Sequence, residues 1–462
     1  MKYVNDDSVE GVLASTELSS NQVRVECDGR AWATVPAFAD PEDPSLLRFK
    51  CQLPAIASPQ QTDVRALDAG TGRSLRQIRI DDRQPKVNAY GLLAHDVLMV
   101  HCKPFIAVPW VSFDGAHLTI SGAHLPPAGD PSSLQVRLAS GVKFKFDYPL
   151  ISPQFQQHFW YWPNAHLSNL ILTIDLPASS AKADAFSVEF FYEKAAPLLV
   201  GTIVEQGTEI GSLCGRIWIP RSLTAFVGFP REGSQLTRVQ TWSDDHSVTM
   251  TGFNAFKTIE ALLAQQGVKS KRALRLLDWG CGHGRVTRHF IANWPEAEIV
   301  GMDIDAENIG WCRQNLSAGT FEVAPLWPPS PIADGSIDAI FGISVMTHLT
   351  AVAQKAWLAE LARMLKPQGL ALITFAGPGA AAWTSGFRTV EWWRRWKETG
   401  FNDDQLNPAL EGKISDSTYY RNTVQVPEYT RVNWSDQFDI VAIKPDLMEI
   451  RTSQYFACVE RS

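Results

Sequence analysis

The stretch Asp278-Trp279-Gly280-Cys281-Gly282-His283-Gly284-Arg285 constrains the fold of this chain more than any other. It follows a short apolar run, Leu274, Leu276 and Leu277, and precedes a helical pattern from Val286 to Ile291. A strand that stops at glycines, with a helix starting at once, leaves backbone amides facing a crevice at the carboxyl edge of a sheet. Glycine lets a nucleoside come close to such a turn. The dinucleotide fingerprint would place a third glycine where Arg285 stands. The G-x-G-x-G spacing found instead is a poor pyrophosphate cradle and suits a nucleoside with a zwitterionic tail.

A second apolar run, Ala297 to Gly301, closes on Met302-Asp303-Ile304-Asp305. Asp303 lies about 20 residues beyond the glycines, where a carboxylate can accept hydrogen bonds from both ribose hydroxyls. Further pieces follow in order: Asp338 to Leu349, with Ser344-Val345-Met346-Thr347-His348-Leu349 at its end, and Leu365 to Thr374. On these four segments, the stretch Leu276–Phe375 resembles a class I S-adenosylmethionine-dependent methyltransferase. The resemblance implies a Rossmann-like, doubly wound α/β domain with S-adenosyl-L-methionine as cofactor. It implies that Asp278, Gly280, Gly282, Gly284, Arg285, Asp303, Ile304 and Ser344 form the cofactor site.

The whole chain sets wider bounds. At 462 residues, two or three domains are expected, and 45% apolar with 20% charged residues is a globular composition. A net charge of -7 argues against a general nucleic-acid partner. The 7 cysteines are scattered without a C-x-x-C, so neither a disulfide framework nor a zinc site is indicated. The first residues are polar and acidic, unlike a signal peptide, and no apolar run is long enough to span a bilayer. A cytoplasmic protein without an integral membrane segment is expected; oligomeric state is not legible.

The N-terminal half reads as β structure. Val23 to Gly29 alternates and ends in Asp-Gly, a hairpin signal, and Leu46–Cys51 and Val64–Asp68 alternate as well. After a break near Asp81 to Pro85, short strands resume up to Phe191. One or two all-β, sandwich-like domains are expected, with boundaries at 1–84 and 85–200. A connector, 201–240, holds short strands such as Gly215–Ile219. The hydrophobic period lengthens after Pro197, so the N-terminal half is expected to fold alone. Ala255–Leu263 has helical spacing and opens the methyltransferase domain, 241–462. Phe438–Ile443 and Gln454–Val459 would form the closing antiparallel hairpin of the family.

Methyl transfer requires an aligned acceptor and, for a hydroxyl acceptor, a place for its proton. His348 follows the predicted strand Ala339–Ser344 at the carboxyl edge, and an imidazole near pKa 6.5 would make the rate rise through pH 6–7. In the family, a Thr-His-Leu stretch often borders the methyl group without taking a proton, so His348 is read either as the base or as a pocket residue. His283, His289 and Cys281 lack zinc-ligand spacing, and no metal is expected. Between Phe375 and Phe438, Trp393, Tyr420 and Arg421 are candidate acceptor residues, offering stacking faces and bidentate donors. For the tryptophan cluster around Trp393, packing on the domain is an equal alternative. Phe155, Phe159, Trp160, Tyr161 and Trp162 form either core or a binding surface. Tyr420-Arg421, Tyr429, Trp434, Phe438, Ile440 and Gln454 resemble methyltransferases of bacterial polysaccharide assembly, although Tyr455 stands where those relatives commonly carry Asp. A sugar hydroxyl on a glycan or its precursor is the expected acceptor. A small metabolite or lipid-linked intermediate is the second expectation, and a non-catalytic binding or assembly scaffold the third.

Overall fold

The computed structural model describes residues 1–4, 7–101, 105–125, 134–138, 142–176, 185–192, 196–200, 203–210, 213–220, 245–268, 273–416, 418–445 and 454–461. The C-terminal sheet has strands β1 (Arg275–Trp279), β2 (Glu298–Asp303), β3 (Thr320–Val323), β4 (Ile337–Gly342), β5 (Leu365–Ala376), β6 (Phe438–Pro445) and β7 (Gln454–Arg461). Their order is β3-β2-β1-β4-β5-β7-β6. The first five run parallel, and β7 inserts antiparallel between β5 and β6. This is the doubly wound fold with the closing hairpin read from the sequence.

Strand residues alternate between two buried faces. Leu277, Val300, Ile340 and Ala371 pack with Trp357, Leu358 and Leu361 of the helix Ala351–Met364. Leu276, Ile299, Ala339 and Leu372 pack on the other face with Phe256, Ile259 and Leu263 of the helix Asp245–Gln265. Burial on both faces is why these strands read as continuous apolar runs.

Among the described residues, the N-terminal half forms two pairs of antiparallel sheets and a two-stranded ribbon, Ala196–Val200 with Ile203–Ile210. In the first pair, Val9, Leu47 and Phe49 on one four-stranded sheet share a core with Val23, Val35 and Val64 on another. The hairpin signal holds: Asp28 and Gly29, with φ of 49° and 76°, join Gln22–Cys27 to Arg30–Pro36. In the second pair, Leu118, Ile120 and Leu172 face Val188, Phe190 and Ile219. Strand Leu213–Pro220, expected in the connector, pairs with Ala185–Tyr192 and extends this second unit past residue 200. The connector's 221–240 lies outside the described residues.

The two halves share a hydrophobic core, so a first half folding alone, as expected from the sequence, would expose part of it. Phe155, Phe159 and Trp162 lie in one core with Ala381, Ala382, Trp393 and Trp396 from the segment after β5. Truncation near Pro197 would remove the strand partner of Ala185–Tyr192 and open that core. The helix Asp245–Gln265 adds a second tie. The Asn254 carboxamide accepts from Trp218 N at 2.7 Å and donates to Trp218 O at 2.9 Å, pinning the helix to a strand edge. Two positions earlier, at Gly252, a Cβ would lie 2.3 Å from the Arg285 carbonyl oxygen, so only glycine lets this helix sit against the glycine loop.

Candidate functional site

A cavity of about 1040 Å³ lies over the carboxyl edge of the sheet. The glycine loop and the end of β2 build one end. Gly280 has φ of 79°, and a Cβ there would come within 2.3 Å of Val345, so the turn between β1 and the loop demands glycine. Gly280 N–H and Cys281 N–H donate to the Met302 carbonyl at 2.7 and 3.2 Å, fixing the loop to β2. Gly282 N–H then donates to one oxygen of Asp303 at 2.8 Å, and Asp305 N–H donates to the other at 2.8 Å. Each oxygen keeps a lone pair for an outside donor. Burial raises the Asp303 carboxyl to about 6, against the pull of these two amides.

Of the residues expected in the cofactor site, Gly280, Gly282, Arg285, Asp303, Ile304 and Ser344 line the cavity. Asp278 and Gly284 do not. Asp278 is buried beneath the loop, where it accepts from Thr287 Oγ1 at 2.5 Å, and burial raises it to about 7. A Cβ on Gly284 would lie 2.4 Å from Leu316, so this glycine serves packing between the loop and the helix Ala306–Asn315. Ser344 has φ of 60°, an uncommon conformation for a residue with a side chain. It is held there by Thr374 Oγ1, which accepts from its N–H at 2.7 Å, and by Gln454 Nε2, which donates to its hydroxyl at 2.5 Å. Asn308 Oδ1 and Gln454 Oε1 are buried acceptors without a partner among the described residues. With Asp303, they are the acceptors that a ribose and an ammonium group require, so the residues present fit S-adenosylmethionine.

His348 lies on the 3-10 turn Met346–His348 after β4. Its Nδ1 is 2.9 Å from the Arg421 carbonyl oxygen, and the ring stacks on Tyr420 at 4.3 Å. A carbonyl only accepts, so Nδ1 carries the proton and Nε2 keeps a lone pair. Burial lowers the imidazole to about 4, the hydrogen bond opposing. The titration read from the sequence at pH 6–7 is therefore displaced downward. The hairpin of Phe401–Leu406 and Arg421–Gln425 holds this turn: Thr423 Oγ1 donates to the Leu349 carbonyl at 2.8 Å, and Gln354 links Met346 to Gln425.

The candidate acceptor residues separate. Tyr420 lines the cavity. Arg421 serves the site through its carbonyl, while its guanidinium turns outward and donates to the Thr418 carbonyl at 2.6 Å. Trp393 is buried in the core between the halves, in contact with Trp392 and Trp396. The packing alternative is the observed one: every third or fourth position on the helix Val390–Thr399 must face the β-rich half. The aromatic stretch of that half divides likewise, Tyr161 and Trp162 being core while Phe155 and Phe159 reach the cavity wall. Trp110 and His158 join them there. Nothing local in the sequence marks these as site residues, because their role comes from contact across the domains. Among the described residues, no group of three or more His, Cys, Asp or Glu side chains converges as a metal cluster, and no helix is long and apolar enough to cross a membrane.

This sheet order, with a glycine loop and a ribose-type carboxylate at its carboxyl edge, defines a class I methyltransferase fold. Residues 276–369 match the family model described as a methyltransferase domain. The chain thus carries an S-adenosylmethionine-dependent methyltransferase domain. The trans-aconitate 2-methyltransferase of Azoarcus sp. (strain BH72) is 34% identical over 133 residues, 29% of this chain and 50% of that protein. The fatty-acid O-methyltransferase of Mycolicibacterium smegmatis is 32% identical over 116 residues, 25% of this chain and 40% of that protein. The chain therefore spans half or less of these relatives' length. The magnesium protoporphyrin IX methyltransferase of Synechocystis PCC 6803 aligns over 50% of this chain and 96% of its own, at 16% identity and a TM-score of 0.33.

Proposed function

We propose that this chain is an S-adenosylmethionine-dependent O-methyltransferase acting on a small-molecule acceptor held between its two halves. One observation carries the reading: a single cavity joins Asp303 and the glycine loop to the unprotonated Nε2 of His348 and to aromatic walls from both halves. When bound, the cofactor supplies a methyl group already activated on a positively charged sulfur. Asp303, Asn308 and Gln454 hold and orient it. Trp110, Phe155 and Phe159 line the acceptor side with aromatic faces. At neutral pH, His348 is uncharged and accepts a hydrogen bond from an acceptor hydroxyl, taking its proton as the oxygen is methylated.

Two acceptor classes follow. The aromatic faces, together with the carboxamides of Asn407, Asn422 and Gln405 in the cavity wall, support the sugar hydroxyl of a glycan or its precursor. The relatives' names, trans-aconitate and fatty-acid methyltransferases, support a carboxylate, which needs no base and would leave His348 an orienting role. Of the residues behind the glycan resemblance, Trp434 and Phe438 are core, Ile440 packs against it, Tyr429 stacks on Phe401 and the Arg421 guanidinium turns outward, which leaves Tyr420 and Gln454 to support it.

Methyl-labelled cofactor incubated with the full chain and cell-extract fractions tests the reading. A labelled small-molecule product is expected. Mild alkali then separates the classes, because a methyl ester releases methanol and a methyl ether keeps its label. No labelled product in any fraction, with the cofactor shown to bind by calorimetry, would return the chain to the scaffold class.

A further inference from the structure

The charged residues of the cavity wall are unevenly placed. Arg285, Asp303 and Asp305 lie at the cofactor end. On the acceptor side, Arg388 is the one fixed charge among the described lining residues, and no carboxylate side chain joins it there. Its Nε donates to Thr384 Oγ1 at 3.3 Å and one Nη2 hydrogen goes to Gln405 Oε1 at 3.1 Å. The guanidinium lies 4.2 Å over the Trp392 ring. A guanidinium has five N–H donors, so three remain without an acceptor among the described residues. The acid whose charge acts on it, Asp404, is engaged elsewhere: it accepts from Asn402 Nδ2 at 2.8 Å and faces Arg395 at 3.5 Å. Burial lowers the Arg388 pKa from its ordinary value, with the charge of Asp404 opposing.

Placing an unpaired cation in such a wall costs stability, and the β-rich half helps hold it there. Asn88 Nδ2 donates to the Arg388 carbonyl at 2.8 Å and to the Ser385 carbonyl at 2.9 Å. Trp160 Nε1 donates to Ser385 Oγ at 2.9 Å. His158 stacks on Trp383 in the wall beside this loop, with ring centroids 5.4 Å apart. The loop that carries Arg388 is thus set by residues more than two hundred positions earlier.

We propose that Arg388 is the anchor for an acidic group, carboxylate or phosphate, on the methyl acceptor, and that the N-terminal half fixes acceptor choice by positioning it. The inference rests on the proposed methyltransferase function and deepens it. A planar guanidinium with three free donors matches the oxygens of either acid and discriminates against a neutral analogue that leaves it unpaired.

The test uses the full chain. A deproteinised cell extract is separated on an anion-exchange column before reaction with methyl-labelled cofactor. Acceptor activity is expected in the retained fraction, and activity confined to the flow-through overturns the proposal. If phosphatase treatment moves the activity to the flow-through the acid is a phosphate, and if it stays retained the acid is a carboxylate. With the active fraction, Arg388→Gln should raise the apparent KM about tenfold to a hundredfold with kcat nearly unchanged. Arg388→Lys should recover part of that loss. S-adenosylhomocysteine affinity should match the parent in both variants, and Tm should not fall in either. A variant that loses kcat and Tm together, without the KM effect, assigns Arg388 to structure and overturns the proposal. Absence of labelling in every fraction overturns the methyltransferase reading beneath it and withdraws this inference as well.

Discussion

His348 donates its Nδ1 hydrogen to the main-chain carbonyl of Arg421, 73 residues further along the chain, at 2.9 Å. The contact fixes the tautomer of a ring whose other nitrogen has no protein partner among the described residues. It also ties the turn after β4 to the hairpin that the segment between β5 and β6 contributes. A minimal methyltransferase sheet would have no such hairpin. The base candidate is therefore oriented by backbone, and mutation of the Arg421 side chain should leave it in place.

The corresponding prediction concerns turnover. His348→Ala should cut kcat about 10²–10⁴-fold if the acceptor is a hydroxyl, while S-adenosylhomocysteine affinity stays near that of the parent. Because the buried ring titrates at about 4, the parent rate should stay level from pH 7 down past pH 6 and fall only as pH 4 is approached. Single-turnover rates at saturating cofactor decide this, since saturation removes the titration of Asp303 from the readout. One pH profile shared by parent and variant would exclude His348 as the base.

Asp303 should control cofactor affinity. Its carboxylate already receives one amide on each oxygen, so it is preset to accept two hydroxyls. Asp303→Ala should weaken binding by about 2–4 kcal/mol. The ionised form is the better acceptor and the folded pKa is about 6, so affinity should drop as pH falls through 6. Calorimetry with S-adenosylhomocysteine between pH 5 and 8 would show this slope in the parent and a flat profile in Asp303→Asn. A parent profile without slope would place the ribose elsewhere.

What the sequence disclosed follows from the range of the interactions. The C-terminal sheet was legible because strand, glycine turn and helix are encoded within a few residues, and Asp28-Gly29 marked its hairpin for the same reason. Asp278 and Gly284 belong to the same motif but act beneath the loop, a distinction that motif spacing does not carry. Trp393 and Trp396 have the pattern of a surface helix, and their burial depends on a β-rich half encoded some 230 residues earlier. Arg388 carries no sequence signal, because its meaning comes from an absent partner in a wall assembled from three regions of the chain.

The contrast between Trp393 and Trp110 gives a paired prediction. Trp393 is 3% exposed in the shared core, so Trp393→Ala should cost about 3–5 kcal/mol of stability. Trp110 is 46% exposed and lines the cavity. Its replacement by alanine should leave Tm and cofactor affinity nearly unchanged and raise KM for the acceptor. Thermal melts and steady-state kinetics on both variants test this; a Trp110 variant with unaltered KM would remove the β-rich half from acceptor recognition.

Acid should destabilise the fold, and the sign follows from opposing groups. Burial pushes His124, His283 and His289 down to about 3, and His348 to about 4. In the unfolded chain these rings titrate near 6.5. Between about pH 4 and 6.5 the unfolded chain binds more protons at each, so each adds stability that is present above 6.5 and lost on acidification, at about 1.4 kcal/mol per pH unit. Asp278 and Asp303 act in the other direction: burial raises them to about 7 and 6, so the folded chain holds their protons and acid favours folding there. Four rings against two carboxyls leave a net loss on acidification, with stability levelling off above about pH 7. Asp278→Asn removes one opposing group and should steepen the acid slope. Urea midpoints of parent and variant from pH 4.5 to 8 measure both slopes, and a parent midpoint that rises on acidification would mean that these imidazoles are not buried uncharged.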